Sequence, residues 1–301
     1  MRIVAALGGN ALLRRGEAMS EERLRANVRA AALALAPLCD AGHELIVTHG
    51  NGPQIGLIAL QNAAGPEEGR CGFDILGAQS QGMIGYLLEQ ELRNILRGAR
   101  ACATLLTQVI VDPADTAFAR PAKPIGPLYE ESEAQTLARI HGWTMMRDGT
   151  KWRRAIASPQ PLEIADTNVI EGLASRGAVT ICLGGGGVPV ARARDGTLRG
   201  VEAVIDKDLA SSLLARELDA DALLLLTDVD AVYRDWGAGA AQALRALPAA
   251  SLEPAEFEAG TMRPKIAAAK AFVLATGKLC VIGHMEHAAE LLEGKSGTLV
   301  R

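Results

Sequence analysis

Apolar residues fall along the chain in two rhythms. Short continuous runs predict buried strands: Arg2 to Leu7, Glu44 to Thr48, Ala101 to Val111, Ala178 to Leu183, Ala222 to Leu226, Leu279 to Ile282 and Thr298 to Val300. Between them lie longer stretches with helix punctuation. Ser20 is a suitable N-cap, and Glu21 and Glu22 suit a first turn, for a helix reaching Cys39 and stopped at Asp40-Ala-Gly42. Pro53 can open a helix to about Gln61. A long helix is predicted from Asp74 to Leu96 and ends before Gly98. Its Gly77, Gly82 and Gly85 each cost about 1 kcal/mol against Ala in an exposed helix, which points to close packing against another backbone, with ligand or dimer contact as the alternative. Asp166 caps a helix to Ser175, Asp206-Lys-Asp208 opens one to Glu217, Ser251 caps a short one to Glu258, and Gly260 to Lys265 starts one that ends near Thr276.

Strand and helix alternate, which predicts an α/β protein with a largely parallel sheet covered on both faces. Asp112 to Pro161 breaks the rhythm. Its first part, to Pro127, has four prolines, too many for a core element. A short helix near Glu131 to Ile140 and a hairpin at Met145 to Trp152, turning at Asp148-Gly149, complete it. This segment reads as an insertion and a mobile lid. A second hairpin turn is expected at Arg194-Asp-Gly-Thr197, and Arg14 to Glu17 reads as a polar connection.

With 301 residues there is room for one large α/β domain or two lobes. Hydrophobic content is 49% but aromatics only 3%, so Ala, Leu, Val and Ile must fill the core. The net charge of −4 argues against general nucleic-acid binding. No run reaches the roughly 20 apolar residues of a membrane helix, and the start of the chain reads directly as a strand rather than a signal peptide. Five cysteines without a CxxC pair fit a cytoplasmic location, with Cys102, Cys182 and Cys280 as small hydrophobes in strands.

Candidate chemistry gathers where strands end. Gly8-Gly9-Asn10, His49-Gly-Asn-Gly-Pro53 and Gly184 to Gly187 each follow a predicted strand. Such loops present backbone N–H groups to an anion, usually a phosphate, and in parallel sheets ligands lie outside the carboxyl ends of the strands. Lys123 stands in a Pro-rich loop, Lys207 between Asp206 and Asp208 at a helix start, and Lys265 after Pro264 at another. A lysine at a helix N-terminus does not help the helix dipole, but it fits if an anionic ligand shares the site. Together these features suit phosphoryl transfer, which is mostly positioning plus cations and N–H donors. There is no GxxxxGK[ST] and no dinucleotide GxGxxG, and the five His form neither HExxH nor a close cluster, so no protein-held metal site is read from the pattern. His49 is as consistent with a structural role as with a catalytic one.

The ordered set Val4-Ala-Ala-Leu-Gly-Gly-Asn-Ala11, Val47-Thr-His-Gly-Asn-Gly-Pro-Gln54, Ala78-Gln-Ser-Gln-Gly82, Leu106-Thr-Gln-Val109, Lys123-Pro-Ile-Gly-Pro127, Ser158-Pro159, Gly184-Gly-Gly-Gly-Val-Pro189 and Val204-Ile-Asp-Lys-Asp208 resembles the carbamate kinases of the amino acid kinase superfamily. The resemblance implies a three-layer αβα sandwich around a mainly parallel sheet of about eight strands, with a protruding lid. It implies a single domain over 1–301, with a carbamate lobe over about 1–200, the lid at 112–161, and a nucleotide lobe over about 201–301. It further implies a homodimer and the reversible reaction ATP + carbamate = ADP + carbamoyl phosphate, with Mg²⁺ carried by the nucleotide. By the same resemblance Gly8, Gly9 and Asn10 bind the transferring phosphoryl group, Gly50 and Asn51 complete the carbamate pocket, and Lys123 reaches in from the lid. Lys207 offsets phosphoryl charge, Asp206 and Asp208 orient the lysines, and Lys265 holds nucleotide phosphates. Gly184, Gly185, Thr227, Asp228, Asp230, Tyr233 and Met262 fall in the nucleotide pocket. The lid departs from the family pattern at Asp148-Gly-Thr-Lys151, and Arg263 adds a cation before Lys265. A kinase for another small acid and a non-catalytic sensor of nucleotide or carbamoyl phosphate are the alternatives, the second opposed by retention of all three lysines.

Overall fold

The computed structural model describes every residue except 14–16, 18–19, 235–240 and 259, and the side chains of residues 10 and 11. The polar connection expected at Arg14 to Glu17 lies, but for Glu17, outside the described residues. The first apolar run forms β1 (Arg2–Leu7) and passes through a single turn of helix, α1 (Gly9–Leu12). Helix α2 (Glu21–Asp40) starts where the sequence predicts, with the Ser20 hydroxyl accepting from the Arg23 N–H. Next come β2 (Glu44–His49), α3 (Gly52–Ala64) and the long α4 (Phe73–Leu96).

The run expected as one strand from Ala101 to Val111 is two. Strand β3 (Cys102–Thr104) and β4 (Gln108–Val111) belong to different sheets. The chain turns at Thr107, whose N–H donates to Gln81 Oε1 at 3.0 Å. Hydrophobicity could not reveal this turn, because apolar residues are needed on both sides of it.

The irregular segment contains β5 (Lys123–Tyr129), α5 (Glu131–His141), β6 (Met145–Asp148) and β7 (Lys151–Ile156). The hairpin at Asp148-Gly149 forms as expected. Strand β5 was not expected among so many prolines. It is tolerated because the order is β5-β7-β6, so Pro124 and Pro127 lie on an edge strand, where a missing N–H costs least.

The α/β rhythm then resumes with β8 (Pro161–Ile164), α6 (Thr167–Ala174), β9 (Val179–Cys182), the hairpin β10 (Val188–Arg192) and β11 (Leu198–Gly200), α7 (Lys207–Glu217) and β12 (Ala222–Thr227). After β13 (Val232–Arg234), β14 (Gln242–Leu244) and β15 (Ala246–Leu247) come α8 (Met262–Thr276), β16 (Leu279–His284), α9 (Ala288–Leu292) and β17 (Thr298–Val300). The helix expected from Ser251 to Glu258 is instead two single 3₁₀ turns, Ala249–Ser251 and Pro254–Glu256, because Pro254 interrupts the backbone hydrogen bonding.

Among the described residues eight strands form the central sheet in the order β15-β17-β16-β12-β1-β2-β9-β3, parallel except where β17 meets β16. Alternate residues of β1 face opposite ways. Ile3, Ala5 and Leu7 pack with Val28, Leu35 and Leu88 of α2 and α4, while Val4 and Ala6 pack with Ala210 and Leu214 of α7 and Phe272 of α8. This is the three-layer αβα architecture. Cys102, Cys182 and Cys280 are buried in strands as predicted, and all five cysteines are free. The backbone packing expected at the α4 glycines is not found: a Cβ on Gly85 would sit 2.3 Å from Thr104 Cγ2, a side-chain atom, and among the described residues nothing lies within 4 Å of that position at Gly77 or Gly82.

Candidate active site

In-register pairing sets the site's floor. Leu7 stands opposite both His49 and Leu226, so the chain leaves β1, β2 and β12 at one edge of the sheet. The loops that follow are packed backbone on backbone. A Cβ on Gly50 would lie 2.9 Å from the Gly9 N, and one on Gly8 would lie 3.0 Å from the Leu226 O. The third Gly-rich loop closes over the second. A Cβ on Gly184 would meet His49 Cε1 at 2.5 Å, and one on Gly185 would meet Asn51 Nδ2 at 2.1 Å. Gly185 also has φ +66°, in the left-handed region that favours glycine. Asn51 is fixed from below by donating to Ser80 Oγ at 2.7 Å.

His49 is buried, and its Nδ1–H donates to the Gly50 carbonyl at 3.1 Å. Burial, with a smaller push from the Lys207 charge, lowers its pKa to about 4 although the Gly50 bond works the other way. His49 is therefore a neutral structural wedge between two loops.

Above this floor lie the charges. Asp206 caps α7 by accepting from the N–H groups of Asp208 and Leu209 at 2.9 and 3.3 Å. Its other oxygen takes the ammonium of Lys123, which arrives from β5. Asp208 sits between two cations, with Lys207 Nζ 2.7 Å from Oδ1 and Lys265 Nζ 2.9 Å from Oδ2. Lys207 also donates to the Ala6 carbonyl at 3.4 Å, which brings its ammonium to the end of β1. Asp206, Lys207, Asp208 and Lys265 are all buried.

Electrostatics follow from that burial. Desolvation lowers the Lys207 pKa to about 8, opposed by Asp208 and helped by the neighbouring Lys265 charge. Desolvation also works against charged Lys265, but Asp208, Asp206 and Asp228 outweigh it and raise its pKa. For Asp208 burial opposes ionisation, and the two lysines overcome it and hold the carboxyl well below its ordinary range. The cluster is thus a string of charges in which lysines and carboxylates meet, with the Lys207 ammonium at the end of β1.

On the β12 side, Thr227 donates to Asp228 Oδ1 at 3.1 Å. Tyr233 donates to Asp230 Oδ1 at 2.6 Å, and Arg245 donates to Asp230 Oδ2 at 3.2 Å. Met262 starts α8 in the same turn as Lys265 and packs against the core. Arg263, the extra cation, is exposed and donates to the Phe257 and Ala255 carbonyls at 3.2 Å each, bracing the preceding loop. The backbone of Asn10 lies in α1; its side chain is outside the described residues. Gly184 and Gly185, assigned by resemblance to the nucleotide, pack on the β2 loop.

Three features escaped the sequence reading. Gly56 of α3 and Gly126 of β5 touch backbone to backbone, and a Cβ on Gly56 would lie 2.1 Å from the Gly126 Cα. Arg154 of β7 stacks its guanidinium 4.7 Å from the Phe73 ring centre and 4.2 Å from that of Trp143, joining the inserted segment to the start of α4. Glu202 accepts from the Phe73 N–H at 3.1 Å at that same helix end. None of these contacts has a local signature, because each joins residues far apart in the chain.

An αβα sandwich with lysines and Gly-rich loops converging on one strand edge defines a phosphotransferase-type site. Residues 1–284 match the amino acid kinase family. The carbamate kinase of Rhizobium meliloti is 49% identical over 302 residues, covering 100% of this chain and 93% of that protein. The carbamate kinase of Pyrococcus furiosus is 44% identical, covering 99% and 98%. Among solved structures, carbamate kinase from Giardia lamblia bound to AMP-PNP superposes with a TM-score of 0.88 at 38% identity, covering 99% of this chain and 98% of that one. The chain belongs to the amino acid kinase family and, within it, to the carbamate kinases.

Proposed function

We propose that this chain catalyses ATP + carbamate = ADP + carbamoyl phosphate, and that it serves to make ATP from carbamoyl phosphate. The observation that carries the reading is Asp208 between Lys207 and Lys265, with Lys123 held on the adjacent Asp206. A transferring phosphoryl group spreads negative charge over its oxygens, and pre-placed cations offset that charge without reorganising. In the ATP-forming direction an oxygen of the ADP β-phosphate attacks phosphorus, the bond from phosphorus to the carbamoyl oxygen breaks, and carbamate leaves. Lys207 neutralises the moving group, Lys123 the carbamoyl phosphate and Lys265 the nucleotide phosphates. Backbone N–H groups around Gly8, Gly9, Asn10, Gly50 and Asn51 orient the acceptor end. Gly184, Gly185, Thr227, Asp228, Asp230, Tyr233 and Met262 form the nucleotide side.

The division of labour belongs to the same proposal: a carbamoyl lobe over about 1–200, a nucleotide lobe over about 201–301, and closure by 112–161. The carboxylates Asp206 and Asp208 are engaged by lysines, so Mg²⁺ fits this site as a passenger on the nucleotide phosphates. There it would shield the charge of the β-phosphate. A homodimer is included. Exposed Ile75 and Tyr86 share one face of α4 and supply apolar surface for it. A cytoplasmic location is included as well, supported by five unpaired cysteines.

The test is ATP formation from ADP and carbamoyl phosphate with Mg²⁺, read by coupled hexokinase. Enzyme-dependent ATP that falls at least ~100-fold in Lys207→Ala is the expected result. No ATP from a folded protein that still binds ADP would overturn the reading and point to another acid or to a sensor.

A further inference from the structure

Gln54 is the third residue of α3 and is fully buried. Among the described residues neither its Oε1 nor its Nε2 has a hydrogen-bond partner. The other buried amides nearby are engaged: Asn51 donates to Ser80 Oγ, and Gln81 donates to the Thr107 carbonyl while accepting from the Thr107 N–H. A buried carboxamide with both ends unpaired destabilises the folded chain, whereas an apolar side chain of similar size would not. Such a group is retained where something else pairs with it.

Its place in the chain narrows what that is. Gln54 follows Gly50 and Asn51 by a few residues, at the N-terminal turn of a 13-residue helix that leaves the end of β2. Gly50 itself lies against the Gly9 backbone. Gln54 therefore stands at the start of the helix that leaves the edge of the sheet where the Gly-rich loops meet.

Resting on the proposed reaction, we infer that Gln54 recognises the carbamoyl end of the substrate and sets the preference for carbamate over carboxylic acids of similar size. A carbamoyl group presents a C=O acceptor beside an NH₂ donor. The Gln54 carboxamide presents the same pair, and the two facing each other close a ring of two hydrogen bonds, Nε2–H to the carbamoyl oxygen and carbamoyl N–H to Oε1. Acetyl phosphate has a methyl group where the carbamoyl NH₂ stands, so it leaves Oε1 buried and unpaired. A site built to bond a polar group rejects the analogue that lacks it far more strongly than an apolar pocket could.

The experiment measures kcat/KM for carbamoyl phosphate and for acetyl phosphate, with ADP, in the wild type, Gln54→Met and Gln54→Leu, alongside thermal melting. The expected result is a carbamoyl-to-acetyl selectivity at least ~10-fold lower in both variants, through a raised KM for carbamoyl phosphate, with a melting temperature at or above that of the wild type. Equal losses on both substrates, or no loss, would assign Gln54 a packing role and overturn the inference. Two variants guard against a single misfolded one. A wild type that makes no ATP from carbamoyl phosphate would defeat the proposed reaction itself, whereas a wild type that does so with unaltered selectivity in the variants would defeat only the role of Gln54.

Discussion

Lys265 Nζ lies 2.9 Å from Asp208 Oδ2, on the far side of the same carboxylate that Lys207 approaches at 2.7 Å. The two buried cations come from different helices, α7 and α8, and one carboxylate keeps both charged and apart. Neutralising it leaves two like charges facing each other. Asp208→Asn is expected to lower stability by about 3 kcal/mol, the scale of breaking a buried ion pair by removing one partner. Denaturant titration measures that loss, and ATP formation should fall at least ~100-fold. A variant as stable and as active as the wild type would show that the carboxylate does not hold the pair.

The low pKa of Lys207, about 8, gives a pH signature in the free enzyme. Above that pH the side chain loses its proton and can no longer neutralise phosphoryl charge. A bound phosphoryl group favours the charged form and moves the ionisation upward. kcat/KM should therefore decline as pH rises through about 8, while kcat persists to higher pH. In Lys207→Arg, whose cation does not titrate there, the alkaline limb of kcat/KM should disappear.

Gly56 fits against Gly126 only because it has no side chain. Gly56→Ala forces β5 away from α3 and with it Lys123, which stands at the start of β5. The expected outcome is a rise of roughly tenfold or more in KM for carbamoyl phosphate, the scale of misplacing one positioned group. ADP affinity by calorimetry should stay unchanged. A matching loss of ADP affinity would mean that the contact supports the whole site and not the inserted segment alone.

His49 is buried and neutral, with a pKa of about 4 in the folded chain against 6.5 for the ordinary side chain. Between those values the unfolded chain binds more protons, so its stabilising contribution is complete above pH 6.5 and is lost as pH falls through 4. The full effect is on the order of 3 kcal/mol. Urea titrations at pH 7 and 5 should show the wild type losing about 2 kcal/mol more than His49→Asn, which keeps a donor for the Gly50 carbonyl but does not titrate. Equal losses would remove His49 as the source of acid sensitivity.

The central strands were legible because a strand buried on both faces must be apolar at every position, as Ala222 to Leu226 is. Helix starts were legible where a side chain does local work, as Ser20 and Asp206 do. The strand divided at Thr107 was not, since both halves are apolar and the turn is fixed by Gln81, distant in the chain. Strand β5 was hidden by prolines that are harmless only on an edge, and edge position is a property of the sheet.

The candidate site divides in the same way. Sequence alone singled out the candidate residues for the proposed chemistry, because Gly-rich turns and lysines at helix starts have local signatures and the motif order is kept along the chain. Only the tertiary structure decided how they meet: Asp208 shared by two lysines, Lys123 brought to Asp206, Gly56 against Gly126, and Gln54 buried without a partner among the described residues. These are contacts between segments far apart in the chain. Burial there sets which charges survive and which amide stays unpaired, and burial is fixed by packing, not by any residue's neighbours in sequence.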